Sequence, residues 1–283
     1  MHIKLRKWVK ILIFLIIIIS LFFIYSRYIG TKNLIVKEYP IVDSNLPDNF
    51  YGLKIVHLSD IHYKTSNDKN ELENIVNKIN LLKPDIVILS GDLLNKNITY
   101  TNNDYEDLIK ILNNIKCNIG KYAIKGDNDI NNNKWEYIIN NSNFNNLNNT
   151  YDSIYYNDKN PILLIGISSN YKKNHIEETI DSIYKNIKID YNYSILVLHE
   201  PDFIKEIDYS KFNLVLAGHS LGGQIKLPFI NGVIRPKFAK KYYDEYYILD
   251  NTKLYISSGI GTSKYKFRFL NKPSFNLYRL RNK

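Results

Sequence analysis

The chain has 283 residues, 45% hydrophobic and 23% charged, the balance of a folded protein large enough to bury a core without staples, which excludes a disordered chain and a disulfide scaffold. Its single cysteine, Cys117, excludes an internal disulfide and reads as a core residue. A net charge of +10 fits anionic partners and a lysine-rich solvated surface equally well, so it selects no function by itself.

The first residues carry Lys4, Arg6, Lys7 and Lys10 and no acid. Ile11 to Tyr25 is then almost purely apolar, and Arg27 closes the run. With Trp8 and Val9, and with Lys10 able to snorkel, the stretch approaches the ~20 residues that span a bilayer. The basic flank predicts a cytoplasmic N-terminus and an exported remainder. A cleaved signal peptide would need a small-x-small site after the run. Tyr25-Ser26-Arg27-Tyr28-Ile29-Gly30 lacks one, so residues 1–30 read as an uncleaved membrane anchor. Residues 31–49 read as a tether and an opening strand, and residues 50–283 as one domain.

Within that domain, short β-branched runs predict strands at Leu53–Leu58, Ile86–Leu89, Tyr122–Ile124, Ile162–Ile167, Ile195–Leu198, Leu214–Ala217 and Leu254–Ile256. Helical spacing falls between several of them. Leu72, Ile75, Val76, Ile79 and Leu82 share one face, and Leu108, Ile109, Ile111, Leu112 and Ile115 another. Ile176, Ile180, Ile183 and Ile187 suggest a third helix. Asn131 to Asn149 reads as a loop with a short helix around Trp135. The alternation favours an α/β domain with helices packed outside sheets.

The chemistry sits just after the strands. The first runs into Ser59-Asp60-Ile61-His62, the second into Ser90-Gly91-Asp92, and the third into Lys125-Gly126-Asp127-Asn128-Asp129. Two later strands run into His199-Glu200-Pro201-Asp202 and Gly218-His219-Ser220-Leu221-Gly222-Gly223-Gln224. Each delivers a carboxylate or imidazole to the carboxyl edge of a sheet, where ligands gather in α/β folds. Asp60 and His62, two apart, fall on one side of an extended segment. Oxygen and nitrogen donors without thiolates suit Mn, Fe or Zn. A lone Gly-Asp or histidine after a strand is commonplace; the ordered set of five is not.

In that order the segments resemble the calcineurin-like metallophosphoesterases, whose pattern is D-x-H, G-D, G-N-H-[DE], H and G-H-x-H. Leu196-Val197-Leu198-His199-Glu200-Pro201-Asp202, Gly218 to Gln224 and Tyr255-Ile256-Ser257-Ser258-Gly259-Ile260-Gly261-Thr262-Ser263 are similar to the membrane-anchored or exported bacterial branch, the YkuE- and YaeI-like phosphodiesterases. The resemblance covers about residues 50 to 280. It implies a four-layer α-β-β-α sandwich behind one N-terminal transmembrane helix. It further implies two divalent metal ions bridged by a carboxylate and a hydroxide that attacks phosphorus. Carried over, Asp60 and His62 would bind the first metal, Asp92 would bridge, and Asp127, His199 and His219 would bind the second. Asp92, Asn128 and His199 would be the catalytic positions.

Three positions depart from the family pattern. Asp127 stands for the usual asparagine, a change hard metals accept and one whose negative charge would help hold the metal pair. Asn128 stands for the histidine that orients substrate and protonates the leaving group. Leu221 stands for the second histidine of G-H-x-H and cannot coordinate, which weakens the first metal site. Two readings follow: an active phosphodiesterase or phosphomonoesterase, and a catalytically weak or inactive protein that binds a phosphorylated envelope ligand. A purely structural interaction protein is a third class.

The tail from Lys264 to Lys283 is basic, with Tyr265, Phe267, Phe269, Phe275 and Tyr278 interleaved. It reads mainly as a last pair of strands with aromatics inward. Arg268, near the Gly-Thr-Ser loop, is the candidate for substrate phosphate binding beside Asn128. The expected partners are a phosphorylated small molecule, lipid or envelope substrate, and the membrane. An outward-facing domain meets little nucleic acid. His2 and His175 are not expected as ligands.

Overall fold

The central strands are buried at every position, which requires an apolar layer on each sheet face. The computed structural model describes residues 6–169 and 175–282; His2 and Lys4 of the flank and Lys283 of the tail lie outside the described residues. The strands are β1 (Ile35–Val42), β2 (Lys54–Leu58), β3 (Ile86–Leu89), β4 (Gly120–Ala123), β5 (Asn145–Asn146) and β6 (Thr150–Ile154). They continue as β7 (Ile162–Ile167), β8 (Tyr193–Leu198), β9 (Leu214–Ala217), β10 (Tyr246–Leu249), β11 (Thr252–Ile256) and β12 (Ser274–Arg281). The helices are α1 (Lys7–Ile24), α2 (Lys69–Leu82), α3 (Asn102–Asn113), α4 (Trp135–Asn141) and α5 (Ile176–Asn186).

Among the described residues, these strands form two six-stranded mixed sheets, ordered β1-β12-β2-β3-β4-β5 and β10-β11-β9-β8-β7-β6. In β3, Ile86 and Ile88 join the core between the sheets, while Val87 and Leu89 join the core under the helices. In β7, Ile162 and Leu164 face the first sheet, while Leu163, Ile165 and Ile167 face the opposite outer layer. Helices α2, α3 and α4 cover the first sheet and α5 covers the second. The result is the four-layer α-β-β-α arrangement.

The sequence also sets where helices begin. Asp68 and Glu71 form a reciprocal capping box at the start of α2, and Thr101 and Asp104 form one at α3. Lys83, at φ 49°, stops α2 in a left-handed turn before Pro84. Three features differ from the sequence reading. The expected last pair of strands is a single strand, β12, inserted between β1 and β2. Strands β6 and β10 were not among the expected strands; each is an antiparallel edge strand, half-exposed along most of its length. The stretch 31–49 holds β1, which pairs with β12 along its whole length, so little of it is slack.

Helix α1 is long and apolar enough to cross a membrane, and almost none of it is covered by the domain. It ends in a five-residue π turn, Tyr25–Ile29. There Gly30 donates to the Tyr25 carbonyl at 2.7 Å, and the Ser26 carbonyl accepts the Arg268 N–H at 2.9 Å.

His57 in β2 is fully buried, with Nε2 2.7 Å from Ser90 Oγ and Nδ1 3.2 Å from Tyr278 Oη. Burial pushes its imidazole down to about 3 from an ordinary 6.5. The unfolded chain therefore takes up a proton near pH 6.5 while the folded chain does not. Stability should fall by about 1.4 kcal/mol per pH unit from this group as the pH drops from 6.5 toward 3. Denaturant unfolding followed by the fluorescence of buried Trp135 should show this slope, and His57→Asn should flatten it.

Candidate metal centre

Each candidate donor is set by the backbone just beyond a strand. Past β2 the chain stays registered with the segment after β3. Asp60 N–H donates to Gly91 O at 3.0 Å, and His62 N–H donates to Asp92 O at 3.1 Å. Ile61 between them is buried in the core under the helices, which leaves Asp60 and His62 on the pocket side. Asp60, His62, Asp92 and His219 all have left-handed φ, at 53°, 48°, 56° and 64°. Such backbone costs on the order of 1–3 kcal/mol per non-glycine residue and persists only where the surroundings enforce it. A Cβ on Gly126 would collide with Asp92 Oδ1, so the loop after β4 approaches only as glycine.

The side chains converge in a cavity of about 290 Å³. Asp92 Oδ2 lies 3.6 Å from His62 Nε2 and 3.4 Å from His199 Nε2. His62 Nε2 is also 3.9 Å from Asp60 Oδ1. On the other side, Asp127 Oδ1 is 3.6 Å from His199 Nε2 and 3.4 Å from His219 Nδ1. Two groups of donors result, Asp60–His62–Asp92 and Asp92–Asp127–His199–His219, each compact enough to hold a metal ion. Asp92 belongs to both.

Hydrogen bonds outside the cluster aim the rings. His199 Nδ1 lies 2.7 Å from the Ser90 carbonyl, and His219 Nε2 lies 2.8 Å from the Lys237 carbonyl. A carbonyl can only accept, so those nitrogens carry protons, which leaves the opposite nitrogens facing the carboxylates. His199 Nε2 and His62 Nδ1 are buried without a hydrogen-bond partner. His199 Nε2, 3.4 Å from Asp92 and 3.6 Å from Asp127, is an orphaned nitrogen facing two carboxylates, which fits a divalent cation bound by nitrogen and oxygen, whereas the orphaned nitrogen of His62 is the one opposite its acid-facing Nε2. The field agrees. Burial disfavours a charged His199, yet Asp92, Asp127 and Asp60 raise it well above its ordinary range. Burial likewise opposes the charge on Asp92, but His199 and His62 hold its carboxyl low. The cluster demands positive charge.

The departing positions are at the same place. Asn128 Nδ2 donates to Asp92 Oδ2 at 2.7 Å and to Asp127 Oδ1 at 3.2 Å, and its N–H donates to Asp92 Oδ1 at 2.8 Å. Leu221 is buried, lines the cavity at φ 49° and offers no donor. Asp127 Oδ2 accepts from Lys96 Nζ at 3.0 Å, a partner that an asparagine's single carboxamide oxygen would attract less.

Two residues were not singled out by the sequence reading. Lys96 gives no local signal. Asp129, two residues past Asp127, accepts from the N–H groups of Gly126 and Leu94 at 2.9 Å each and clamps the two loops together.

Arg268 requires a correction. It is fully buried, and its guanidinium donates to the carbonyls of Ser258, Gly259, Gly261 and Asn271 at 2.6–3.3 Å. It ties the Gly-Thr-Ser loop together and presents nothing to a substrate, because its donors are spent on backbone.

A family model described as calcineurin-like phosphoesterase matches residues 53–223. The uncharacterized metallophosphoesterase YkuE of Bacillus subtilis is 29% identical over 262 residues, covering 91% of this chain and 89% of its own. The UDP-2,3-diacylglucosamine pyrophosphatase LpxG of Chlamydia trachomatis is 25% identical over 294 residues, covering 83% and 86%. A transmembrane protein with a metallophosphoesterase domain from Danio rerio is 24% identical over 238 residues, covering 79% of this chain and 52% of that protein.

Adding one methyl group at Gly126 should displace Asp92. Gly126→Ala is expected to weaken metal binding about 10–100-fold while the domain stays folded. Elemental analysis of the dialysed protein beside its circular dichroism reads both.

Proposed function

The chain belongs to the calcineurin-like phosphoesterase family and is a phosphoric ester hydrolase with metal-binding side chains, and from that premise we propose how and where it acts. Asp60, His62 and Asp92 hold one divalent cation; Asp92, Asp127, His199 and His219 hold a second. The observation that carries this is the place of Asp92 Oδ2, within 3.6 Å of an imidazole nitrogen of each group. Bound there, a pair of Mn, Fe or Zn ions would supply an acidified water nucleophile and Lewis-acid stabilisation of phosphoryl charge.

The side chains do the rest. Asp92 fixes the spacing of the two positions, since each of its neighbours is held by backbone register. His199 and His219 keep their aim through the Ser90 and Lys237 carbonyls. Asn128 lines the cavity with its amide donating to Asp92 and Asp127, and it would turn to a phosphoryl oxygen once cations take those carboxylates. It has no proton to give a leaving group at neutral pH, so the preferred ester is one whose leaving group departs without help. Lys96 balances the extra charge of Asp127 and offers a cation to an anionic substrate.

The domain lies on the outer side of the cytoplasmic membrane, since the basic flank before α1 favours a cytoplasmic N-terminus. The substrate is a phosphorylated lipid or envelope phosphate, either mono- or diester. The similarity to LpxG, whose name gives a lipid-linked nucleotide, supports that class. Leu221 and Asn128 support a second reading, in which the first cation is held weakly and the protein chiefly binds its phosphorylated ligand.

Metal-loaded protein should hydrolyse a nitrophenyl phosphate or phosphodiester, and Asp92→Asn should abolish turnover and metal binding together. Turnover unaffected by Asp92→Asn would refute the proposal. Asn128→His should raise the rate on an alkyl ester by about 10²-fold or more, with little change on the nitrophenyl ester.

A further inference from the structure

The turn Leu227-Pro228-Phe229-Ile230 is closed by reciprocal hydrogen bonds between Leu227 and Ile230, at 3.0 and 3.1 Å. Phe229 occupies its third position at φ 67°, where glycine or asparagine is the usual choice. Its side chain is wholly exposed, and Ile230 and Val233 beside it are at least half exposed. A phenylalanine in a left-handed turn, projecting into water, is unfavourable twice over. In a bilayer only the backbone cost remains.

What lies next to this turn identifies its surroundings. Lys226 N–H donates to Phe269 O at 2.9 Å, which ties the turn to the loop 264–271. That loop packs on the end of α1. The Phe269 ring lies 4.8 Å from that of Phe22, and the Phe267 ring 5.9 Å from that of Phe23. The Arg268 N–H to Ser26 O bond fixes the junction, and a Cβ on Gly30 would collide with the Arg268 carbonyl. Phe22 precedes Arg27 by five residues, about 7.5 Å along a helix. The aromatic loop therefore sits at the level of the last apolar turn of α1, below the arginine that marks the interface. Tyr265 and Leu270 are also exposed there, and Lys264 and Lys266 flank them, the arrangement of an interfacial belt.

We infer that the turn 227–230 and the loop 264–270 form a second membrane contact that seats the domain on the bilayer beside α1. Lys264, which opens that loop, and Ile234, which follows exposed Val233, also line the metal-centre cavity. The cavity thus opens at the lipid headgroups, and its substrate is a phosphate ester on an amphiphile whose acyl chains stay in the membrane. The substrate class rests on the hydrolase reading above; the membrane contact does not.

The full chain in nanodiscs of phosphatidylcholine and phosphatidylglycerol tests both. In a Trp8→Phe background, Phe229→Trp should be blue-shifted and quenched by phosphatidylcholine brominated on its acyl chains. Leu81→Trp, at the far end of α2, should not be quenched. A Trp at 229 quenched no more than the Leu81→Trp control overturns the contact, whether it is wet or shielded by a second copy or another protein. The double variant Phe229→Ser, Ile230→Ser should lower turnover of a phosphate ester embedded in the disc about tenfold or more and leave a soluble nitrophenyl ester unchanged. Equal loss on both esters, or none on either, overturns the amphiphile assignment. Absence of turnover on both esters in the unsubstituted protein refutes the hydrolase reading and the substrate class together, while the quenching result still decides the contact.

Discussion

One carboxylate, Asp92, stands where two clusters of donors meet, and the local backbone is arranged around it. Its neighbours reach it from the ends of β2, β4 and β8. Each is aimed by a bond pointing away from the centre: His199 through Ser90, the loop after β4 through Asp129, the segment after β2 through its register with residues 91–93. Uncompensated, these acids and imidazoles in a buried setting repel or trap protons. The four left-handed residues are a further local cost. Such an arrangement is stable only as part of a rigid double sheet, and chemically coherent only with cations to balance it.

Much of this was legible in the sequence because the signals are local. Apolar runs of strand length, each ending in an acid or histidine, place the donors without knowledge of tertiary structure. The capping boxes at Asp68 and Thr101 mark helix starts in the same way. What was not legible depends on distant partners. Arg268 has the composition and position of a phosphate ligand, and only the carbonyls folded around it reveal a structural role. Lys96 acquires meaning from Asp127, 31 residues away. Nothing in the composition of the tail announces that β12 inserts beside β2, since that depends on pairing across more than two hundred residues.

The departures from the family pattern follow one electrostatic theme. Replacing the asparagine ligand with Asp127 adds a charge, and Lys96 answers it. Losing an imidazole at Leu221 removes a neutral donor from the opposite side. The net effect draws negative charge toward the second group of donors, which retains its acids and both histidines. On the proposed two-cation reading, asymmetry of this kind would separate a tightly held position from an exchangeable one.

The pairing of β1 with β12 bears on biogenesis. Residues 35–42 and 274–281 are parallel neighbours, and the loop that grips the end of α1 lies only a few residues before the second of these. Neither the sheet edge nor the grip on the span can form until residues 264–281 have been synthesised. Until then the first sheet lacks the strand between its first two, and β1 has no partner. Closure of the first sheet and capture of the apolar helix thereby wait on the same late stretch of sequence.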